Sequence, residues 1–198
     1  MNLLLLNTDQ CRDNVATVTG RQLDHLRKVQ RAKFGDSVRV GMINGLMGEA
    51  VITALDTEQA SLQVSLDTPP PEAIPLTLVL ALPRPKMLRR TLQTIAAMGV
   101  KKLYLINSSR VEKSFWQTPF LKPEALEEQL ILGLEQAKDT LIPEIYLRKL
   151  FKPFVEDELG DIIKGSQALV AQPLTPTPCP IDCNAAVTLA IGPEGGFI

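Results

Sequence analysis

A glycine-rich segment, Gly-Pro-Glu-Gly-Gly at Gly192–Gly196, directly follows a mostly apolar segment, Ala186–Ile191. Glycine has no Cβ, so the backbone N–H and C=O groups of such a segment can approach a ligand closely. Pro193 fixes one φ angle, and Glu194 supplies a carboxylate that can accept hydrogen bonds. The segment has neither the Gly-Lys-Ser/Thr ending of a P-loop nor the spacing of a dinucleotide-binding fingerprint. Its residues therefore predict either a tight turn or a ligand-binding loop.

Two other segments with polar and charged residues also follow apolar runs. Residues 83–86 come after the run Leu76–Leu82, and residues 107–116 come after a second run at 102–106. In open α/β sheets, ligands bind beyond the carboxyl ends of the strands. We therefore expect these two segments and the glycine-rich segment to lie at one edge of a sheet.

The net charge gives no indication of a polyanion-binding protein, but the distribution of charge along the chain indicates a charged binding surface. The 198 residues have a net charge of −1, but residues 19–40 carry six Lys/Arg against two Asp, and residues 84–113 carry eight against one Glu. Residues 120–164 reverse the balance, with six basic and ten acidic side chains. The two basic zones indicate a charged binding face or, alternatively, solvated helix faces.

Several other chemistries are disfavoured by composition. His25 is the single histidine, which excludes a multi-histidine metal site, and no nucleophile elbow accompanies it. The three cysteines, Cys11, Cys179 and Cys183, lack the second Cys/His pair of a zinc site. A Rossmann oxidoreductase is disfavoured because the glycine-rich segment follows the last predicted strand and not the first.

The elements that would position these residues fall into two predicted domains. Four prolines between Pro69 and Pro75 interrupt helix and strand, and indicate a linker at residues 69–75. Short alternating apolar runs around the Asn44-Gly45 turn, with one basic helix before them, predict a small β-barrel domain at residues 1–68.

The apolar period changes in residues 76–198. The continuous run Leu76–Leu82 is typical of a strand buried on both faces, and residues 86–99 and 122–140 have helical spacing. Further short apolar runs follow these predicted helices. Strands that alternate with helices predict an α/β domain with a largely parallel sheet and helices on both faces.

Five segments, taken in order, resemble the ribosomal RNA uridine-N3 methyltransferases of small-subunit (16S) RNA. This family is a branch of the SPOUT, or trefoil-knot, methyltransferases. The segments are HLRKVQRAKFGDSV, LVLALPRPKMLRRTLQTIAAMGV, INSSRVEKS, LEQAKDTLIPEI and, most specific, LAIGPEGGF. The chain departs from the family's usual residues at Thr94, at Ala97-Met98 and at Lys138-Asp139.

The resemblance implies a fold and a reaction. It implies a PUA-like N-terminal barrel that binds RNA, a SPOUT domain that pairs into a homodimer, and S-adenosylmethionine as the cofactor without a metal. The expected reaction methylates N3 of a specific uridine in 16S ribosomal RNA of the small subunit. Because N3 lies on the Watson–Crick edge, the target base must be unpaired or flipped out.

The resemblance and the charge pattern together give the candidate site residues. Arg110 is the candidate catalytic residue, through an RNA phosphate or a uracil oxygen; a surface ion pair with Glu112 is the alternative. The expected cofactor-binding residues are Gln172, Pro173, Gly192, Pro193, Glu194, Gly195 and Gly196. The expected RNA-binding residues are Arg21, Arg27, Lys28, Arg31, Lys86, Arg89 and Arg90.

The end of the chain carries a further expectation. Members of the family continue past the glycine-rich loop through a segment that threads the knot and completes the cofactor pocket. The resemblance therefore implies a truncated chain with an incomplete knot, which would bind S-adenosylmethionine weakly or not at all.

Two alternative functions stay open from the sequence. The chain could be a non-catalytic RNA-binding protein on a degenerate SPOUT scaffold, or a SPOUT methyltransferase that acts on another RNA. The start of the chain lacks the basic region of a signal peptide, and no apolar run reaches membrane-spanning length. We therefore expect a cytoplasmic protein.

Overall fold

The computed structural model describes residues 2–172, 175, 177–181, 183, 185–194 and 196–197. The chain divides into two compact units. The first unit comprises Met1–Glu72 together with Ile131–Ile142, and the second comprises Ala73–Leu130 and Pro143–Ile198. The first unit therefore includes a segment from the second half of the chain, whereas the sequence pattern places that segment in the second domain.

The first unit contains a mixed sheet. Its strands within the described residues are β1 (Leu4–Leu6), β2 (Cys11–Arg12), β3 (Val15–Val18), β4 (Ser37–Met42), β5 (Met47–Leu55) and β6 (Ala60–Thr68). Their order is β1-β4-β5-β6-β3-β2, with β1 and β4 parallel and the other pairs antiparallel. The turn at Asn44-Gly45 joins β4 to β5, as the sequence predicts, and Asn44 has a positive φ of 56°.

One helical segment packs on this sheet. Helix α1 (Gly20–Asp24) continues as a wider π-type turn over His25–Gln30. Leu23 and Leu26 point into the core of the unit, while Arg27, Lys28 and Arg31 are exposed. The predicted basic amphipathic helix is thus present.

Hydrogen bonds explain why residues 131–142 belong to the first unit. The backbone N–H groups of Asn2 and Leu3 donate to the carbonyl of Glu135, at 2.9 and 3.0 Å. Asn44 N–H donates to the carbonyl of Thr140 at 2.8 Å, and the Thr140 hydroxyl donates to the carbonyl of Gly45 at 2.6 Å. Thr140 is fully buried, so this segment is part of the unit's interior.

The second unit contains a parallel sheet. Its described strands are β7 (Leu76–Ala81), β8 (Lys102–Ile106), β9 (Glu144–Arg148), β10 (Gln167–Ala171) and β11 (Val187–Ile191). Their order is β10-β11-β7-β8-β9, and every neighbouring pair is parallel. The predicted largely parallel α/β sheet is confirmed.

Four helices and several short helical turns accompany these strands in the described chain. The helices are α2 (Pro85–Ala97), α3 (Pro123–Ala137), α4 (Phe151–Pro153) and α5 (Leu159–Ile162). A π-type turn at Phe154–Glu158 links α4 to α5, and 3₁₀ turns lie at Lys113–Gln117 and Pro119–Leu121. A further 3₁₀ turn, at Thr8–Gln10, lies in the first unit. Helix α3 crosses the boundary between the units, which falls after Leu130.

Helix α2 shows how the sequence fixes a local element. Pro85 occupies the first helical turn, where a missing N–H costs nothing. Leu88 and Leu92 recur at helical spacing and are almost fully buried. The helix ends before Gly99, whose φ of +82° is favourable for glycine and unfavourable for other residues.

Helical segments cover both faces of the parallel sheet, as the sequence predicts. Leu78 and Leu80 of β7 and Ile95 of α2 line one groove, so α2 lies on that face. Val79, which points to the opposite face, belongs to a buried cluster with Tyr104 and Phe154.

An aromatic cluster on the second face involves the edge strand β9. The rings of Tyr104 and Tyr146 stack at 4.7 Å between centroids, and Phe154 lies 5.8 Å from Tyr104. Arg148 binds Glu158 through Nε at 2.7 Å. The Tyr146 hydroxyl donates to Glu144 at 2.6 Å, and this hydrogen bond raises the pKa of Tyr146.

In the described chain, no helix is both long and apolar enough to span a membrane.

Candidate cofactor cleft and cation-bearing surfaces

The register of the parallel sheet aligns the segments that follow β10, β11 and β7. Ala171 pairs with Ile191, and Ile191 pairs with Leu80. Gln172 and Gly192 therefore leave neighbouring strands side by side. Because β7 and β8 are also in register, the segments after them leave at the same edge of the sheet.

An open cleft of about 520 Å³ lies in the first unit, but a larger one of about 920 Å³ lies at this edge of the second. Its apolar wall is formed by Leu169, Leu189 and Ile191, side chains of β10 and β11. Its rim is formed by described residues of 172–180 and by the glycine-rich segment. An apolar wall with a few polar groups at the rim is typical of small-molecule sites.

The glycine-rich segment folds back tightly beside Gln172. A Cβ on Gly192 would lie 2.9 Å from the backbone carbonyl carbon of Gly196 and 3.0 Å from the nitrogen of Phe197. Gly196 has a φ of +84°, and a Cβ there would lie 3.1 Å from Gln172 Oε1. Both positions thus need glycine, and the segment is a tight turn that lines a cleft.

Glu194 extends from this segment toward solvent. Its carboxylate accepts from Arg84 Nη2 at 3.3 Å, and the two side chains are 83% and 65% exposed. An exposed pair of this kind stabilises a fold by only about 0–1 kcal/mol. The carboxylate is therefore available for exchange with another donor.

The segment after β8 is anchored by an aromatic side chain. Trp116 Nε1 donates to Asn107 Oδ1 at 3.1 Å. The buried hydroxyl of Ser108 has no hydrogen-bond partner among the described residues. Arg110, the candidate catalytic residue, is exposed on the turn that follows.

The three candidate RNA-binding residues of α2 differ in their surroundings. Lys86 is exposed near the start of the helix. The guanidinium of Arg89 lies over the ring of Phe120, 5.3 Å from its centroid. Arg90 borders an apolar groove of about 480 Å³ beside β7 and β11. All three present charge at the surface, but Arg89 is already held by a cation–π contact.

Arg21, in the first unit, is bound to a buried carboxylate. Its two terminal nitrogens donate to Glu135 at 2.7 and 3.0 Å, a bidentate arrangement. The Glu135 side chain is 1% exposed, whereas that of Arg21 is 47% exposed. Arg21 therefore binds a buried partner while about half of its side chain stays accessible to solvent.

The other three candidate cations of the first unit lie on an exposed stretch. Lys28 pairs with Asp24 at 2.9 Å, one helical turn earlier. Arg27 donates to the carbonyl of Thr57 at 3.4 Å, and Arg31 is exposed with a φ of 52°.

Arg27 also acts electrostatically on its surroundings. The pKa of Asp56 is lowered, chiefly because the carboxylate accepts hydrogen bonds from the backbone N–H groups of Gln59 and Glu58, and to a smaller extent by the positive charge of Arg27.

The structure brings some of the predicted residues together. Gln172, Gly192, Pro193, Glu194 and Gly196 all line one cleft, while Pro173 and Gly195 lie outside the described residues.

Three residues near these sites are not among the predicted site residues. They are Arg84, which binds Glu194; Glu135, which binds Arg21; and Phe120, which lies under Arg89. Arg84 lies in a segment that the sequence does mark, directly after the first buried strand of the sheet. No group of three or more His, Cys, Asp or Glu that could hold a metal ion occurs in the described parts of the chain.

A parallel α/β sheet with an apolar cleft at its carboxyl edge is characteristic of ligand-binding α/β domains. A sequence model described as the RNA methyltransferase domain matches residues 70–198. The chain belongs to this RNA methyltransferase family.

One curated relative and two solved structures illustrate the likeness. Ribosomal RNA small subunit methyltransferase E of Treponema pallidum is 30% identical over 168 residues, which cover 81% of this chain. The chain spans 63% of that relative's length.

The two solved structures share the fold at low sequence identity. A probable rRNA-methyltransferase from Porphyromonas gingivalis superimposes with a TM-score of 0.72 at 19% identity, over 100% of this chain and 82% of that one. Ribosomal RNA small subunit methyltransferase E of Neisseria gonorrhoeae, bound to S-adenosyl methionine, gives a TM-score of 0.70 at 16% identity, with coverages of 99% and 82%.

Proposed function

We propose that this protein transfers a methyl group from S-adenosylmethionine to N3 of a uridine in 16S ribosomal RNA of the small subunit. The observation that carries the proposal is the cleft in which Gln172, Gly192 and Gly196 meet at the carboxyl edge of the sheet. Membership of the RNA methyltransferase family supports it, as do the name of the Treponema relative and the ligand in the Neisseria structure.

The cleft fits an adenosyl cofactor by its shape and chemistry. The missing Cβ atoms of Gly192 and Gly196 let the turn close tightly beside Gln172, at the rim of an apolar wall. Leu169 and Leu189 offer the apolar surface that a purine ring prefers, and the Gln172 amide can both donate and accept at its edge. Pro173 and Gly195 belong to the same proposed site.

The methyl donor supplies an electrophilic methyl group on a sulfonium centre. The chain's residues must hold the uracil with N3 in line with that group, which is a matter of proximity and orientation. Arg110, on the turn after β8, is proposed to stabilise negative charge on a uracil oxygen once the N3 proton has passed to solvent water. Transfer of the methyl group to N3 would then leave the donor as a neutral thioether. Glu194 is proposed to accept a hydrogen bond within the cofactor site.

The remaining proposals concern RNA and assembly. Arg21, Arg27, Lys28, Arg31, Lys86, Arg89 and Arg90 are proposed to bind RNA phosphates. A PUA-like barrel at residues 1–68, a linker at 69–75 and a SPOUT domain with an incomplete knot at 76–198 are proposed from the resemblance. A homodimer and a cytoplasmic location are proposed on the same basis.

The test is methyl transfer by the protein produced from its complete gene. Small ribosomal subunits are incubated with the protein and isotopically labelled S-adenosylmethionine, and the RNA is digested to nucleosides for mass spectrometry. Labelled 3-methyluridine is the expected product. Label in a different nucleoside would exclude the uridine-N3 assignment, and cofactor-independent RNA binding without transfer would favour a non-catalytic RNA-binding protein.

A matched pair of glycine variants links activity to the cleft. Gly192→Ala places a Cβ against the backbone of Gly196 and is expected to remove transfer, because the turn cannot keep its shape. Gly160→Ala is the control, since a Cβ there meets nothing within 4 Å. Equal methyl-transfer activity of the two variants would show that the reaction does not depend on the glycine-rich turn.

A further inference from the structure

A rigid turn in the first unit presents an aromatic ring to solvent. Asp36 N–H donates to the carbonyl of Lys33 at 3.1 Å, and the Asp36 side chain accepts from Lys33 N–H at 2.7 Å. Gly35 N–H donates to the carbonyl of Ile52 on β5 at 2.9 Å, and Gly35 has a φ of +85°. Phe34 is therefore held at the tip of a turn that is bonded to the sheet.

The exposure of Phe34 is high for an aromatic side chain. Phe34 is 77% exposed, whereas Phe120 and Phe151 are 37% and 40% exposed. A single exposed apolar residue is common on protein surfaces and carries no function by itself. The distinguishing features of Phe34 are its rigid support and its neighbours.

Those neighbours are cations. Arg27, Lys28, Arg31 and Lys33 precede Phe34 within seven residues, and all four are exposed. Arg27 and Lys28 bind partners at the surface, the carbonyl of Thr57 and the side chain of Asp24, and such contacts are readily exchanged. We call this stretch, residues 27–34, the basic aromatic turn.

A cationic surface with one accessible aromatic ring matches the chemistry of single-stranded RNA. Lysine and arginine bind the phosphates, and an aromatic face stacks on a base. In a duplex the faces of the bases are covered by their neighbours, so an aromatic ring can stack only on an unpaired base.

We propose that Phe34 stacks on an unpaired base of the RNA substrate while the cations of the basic aromatic turn bind the adjacent phosphates. This inference rests on the proposed function and adds a contact that is sensitive to RNA structure. A membrane surface would also attract cations and an aromatic ring, but insertion needs a broad apolar face. The turn offers Phe34 and Val29, which is 67% exposed, among four charges.

The experiment compares Phe34→Ala, Phe34→Leu and Phe34→Trp in the protein from its complete gene. The probes are a short fluorescein-labelled oligouridine and a labelled RNA duplex, and binding is measured by anisotropy over a salt series. Phe34→Ala and Phe34→Leu are expected to bind oligouridine about ten-fold more weakly, while Phe34→Trp retains affinity. Duplex binding and the slope of log K against log salt are expected to stay unchanged, because every cation that binds a phosphate is still present.

Val29→Ala is the matched control, since it removes an exposed apolar side chain from the same stretch without removing a ring. Unchanged oligouridine binding by Phe34→Ala would overturn the inference, and so would an equal loss on the duplex. Loss of binding to anionic lipid vesicles with RNA binding intact would also overturn it, in favour of a membrane contact. Absence of oligouridine binding by the wild-type protein would also overturn the inference, whereas failure to methylate small ribosomal subunits would overturn the proposed function itself, which is a separate result.

Discussion

Two arginine–glutamate pairs, one in each unit, differ in almost every physical respect; a third pair, Arg148–Glu158, also lies in the second unit. In the first unit Arg21 binds Glu135 through two hydrogen bonds, and the Glu135 side chain is 1% exposed. In the second unit Arg84 meets Glu194 through one contact of 3.3 Å, and the Glu194 side chain is 83% exposed. Burial, and not residue type, separates the two.

The difference teaches what each carboxylate can do. A buried carboxylate must keep its cationic partner, because an unpaired charge in the interior is strongly unfavourable. An exposed carboxylate loses little when its partner leaves, because water takes the partner's place. Glu135 therefore serves the fold, and Glu194 is free to bind a ligand at the rim of the cleft.

The largest expected effect comes from breaking the buried pair. Arg21→Gln is expected to lower the free energy of unfolding by about 3 kcal/mol, because Glu135 stays buried without a cation. Arg84→Gln, the matched change in the other pair, is expected to lower it by less than about 1 kcal/mol. Urea denaturation of both variants measures the contrast. Similar losses in the two would mean that burial does not separate the pairs.

The next effect concerns the cofactor. Glu194→Gln is expected to weaken S-adenosylmethionine binding by about 2 kcal/mol, the scale of one hydrogen bond to a charged group. Calorimetry on the protein from its complete gene measures this, and the unfolding free energy is expected to change little. Full affinity of this variant for S-adenosylmethionine would mean that Glu194 does not bind the cofactor and that the glycine-rich segment is a structural turn.

A smaller effect is expected in the salt dependence of RNA binding. Replacement of Arg27, Lys28 and Arg31 by Gln should reduce the slope of log K against log salt by a little under one unit for each phosphate that the variant no longer neutralises. Arg21→Gln should reduce it less, because Glu135 already holds that guanidinium. An unchanged slope in the triple variant would mean that these residues only solvate the helix.

The smallest effect concerns Asp56. Its pKa is lowered in the folded protein, so the group contributes stability at higher pH that is lost as pH falls through the lowered pKa. Arg27→Gln should raise the pKa of Asp56 slightly, since the backbone hydrogen bonds from Gln59 and Glu58 remain the main cause. An NMR titration of the Asp56 carboxyl carbon measures the shift. A large rise would mean that Arg27 holds Asp56 directly.

Much of the fold follows from periodicity. The apolar run at Leu76–Leu82 predicts β7, and the spacing of Leu88 and Leu92 predicts α2. The sequence pattern does not predict the helical segment Phe151–Ile162, because Pro153 and the mixture of charged and apolar side chains obscure its period. Its buried residue, Phe154, anchors the aromatic cluster.

The candidate site could be predicted only in part, because some of its contacts join residues that are far apart in the sequence. The glycines at 192 and 196 indicate a tight turn or a close backbone approach, because those are the conformations that glycine favours. The partners of Arg21 and Glu194 lie 114 and 110 residues away along the chain. A single sequence contains no signal that joins residues so distant, so both ion pairs are visible only in three dimensions.

The discontinuous first unit also constrains how the protein is made. Glu135 follows Arg21 by 114 residues, so at ordinary translation rates it leaves the ribosome roughly ten seconds later. Until then the N-terminal strands lack the segment that binds the N–H groups of Asn2, Leu3 and Asn44. The newly synthesised N-terminal region therefore lacks these hydrogen bonds while residues 73–130 of the second unit are being translated.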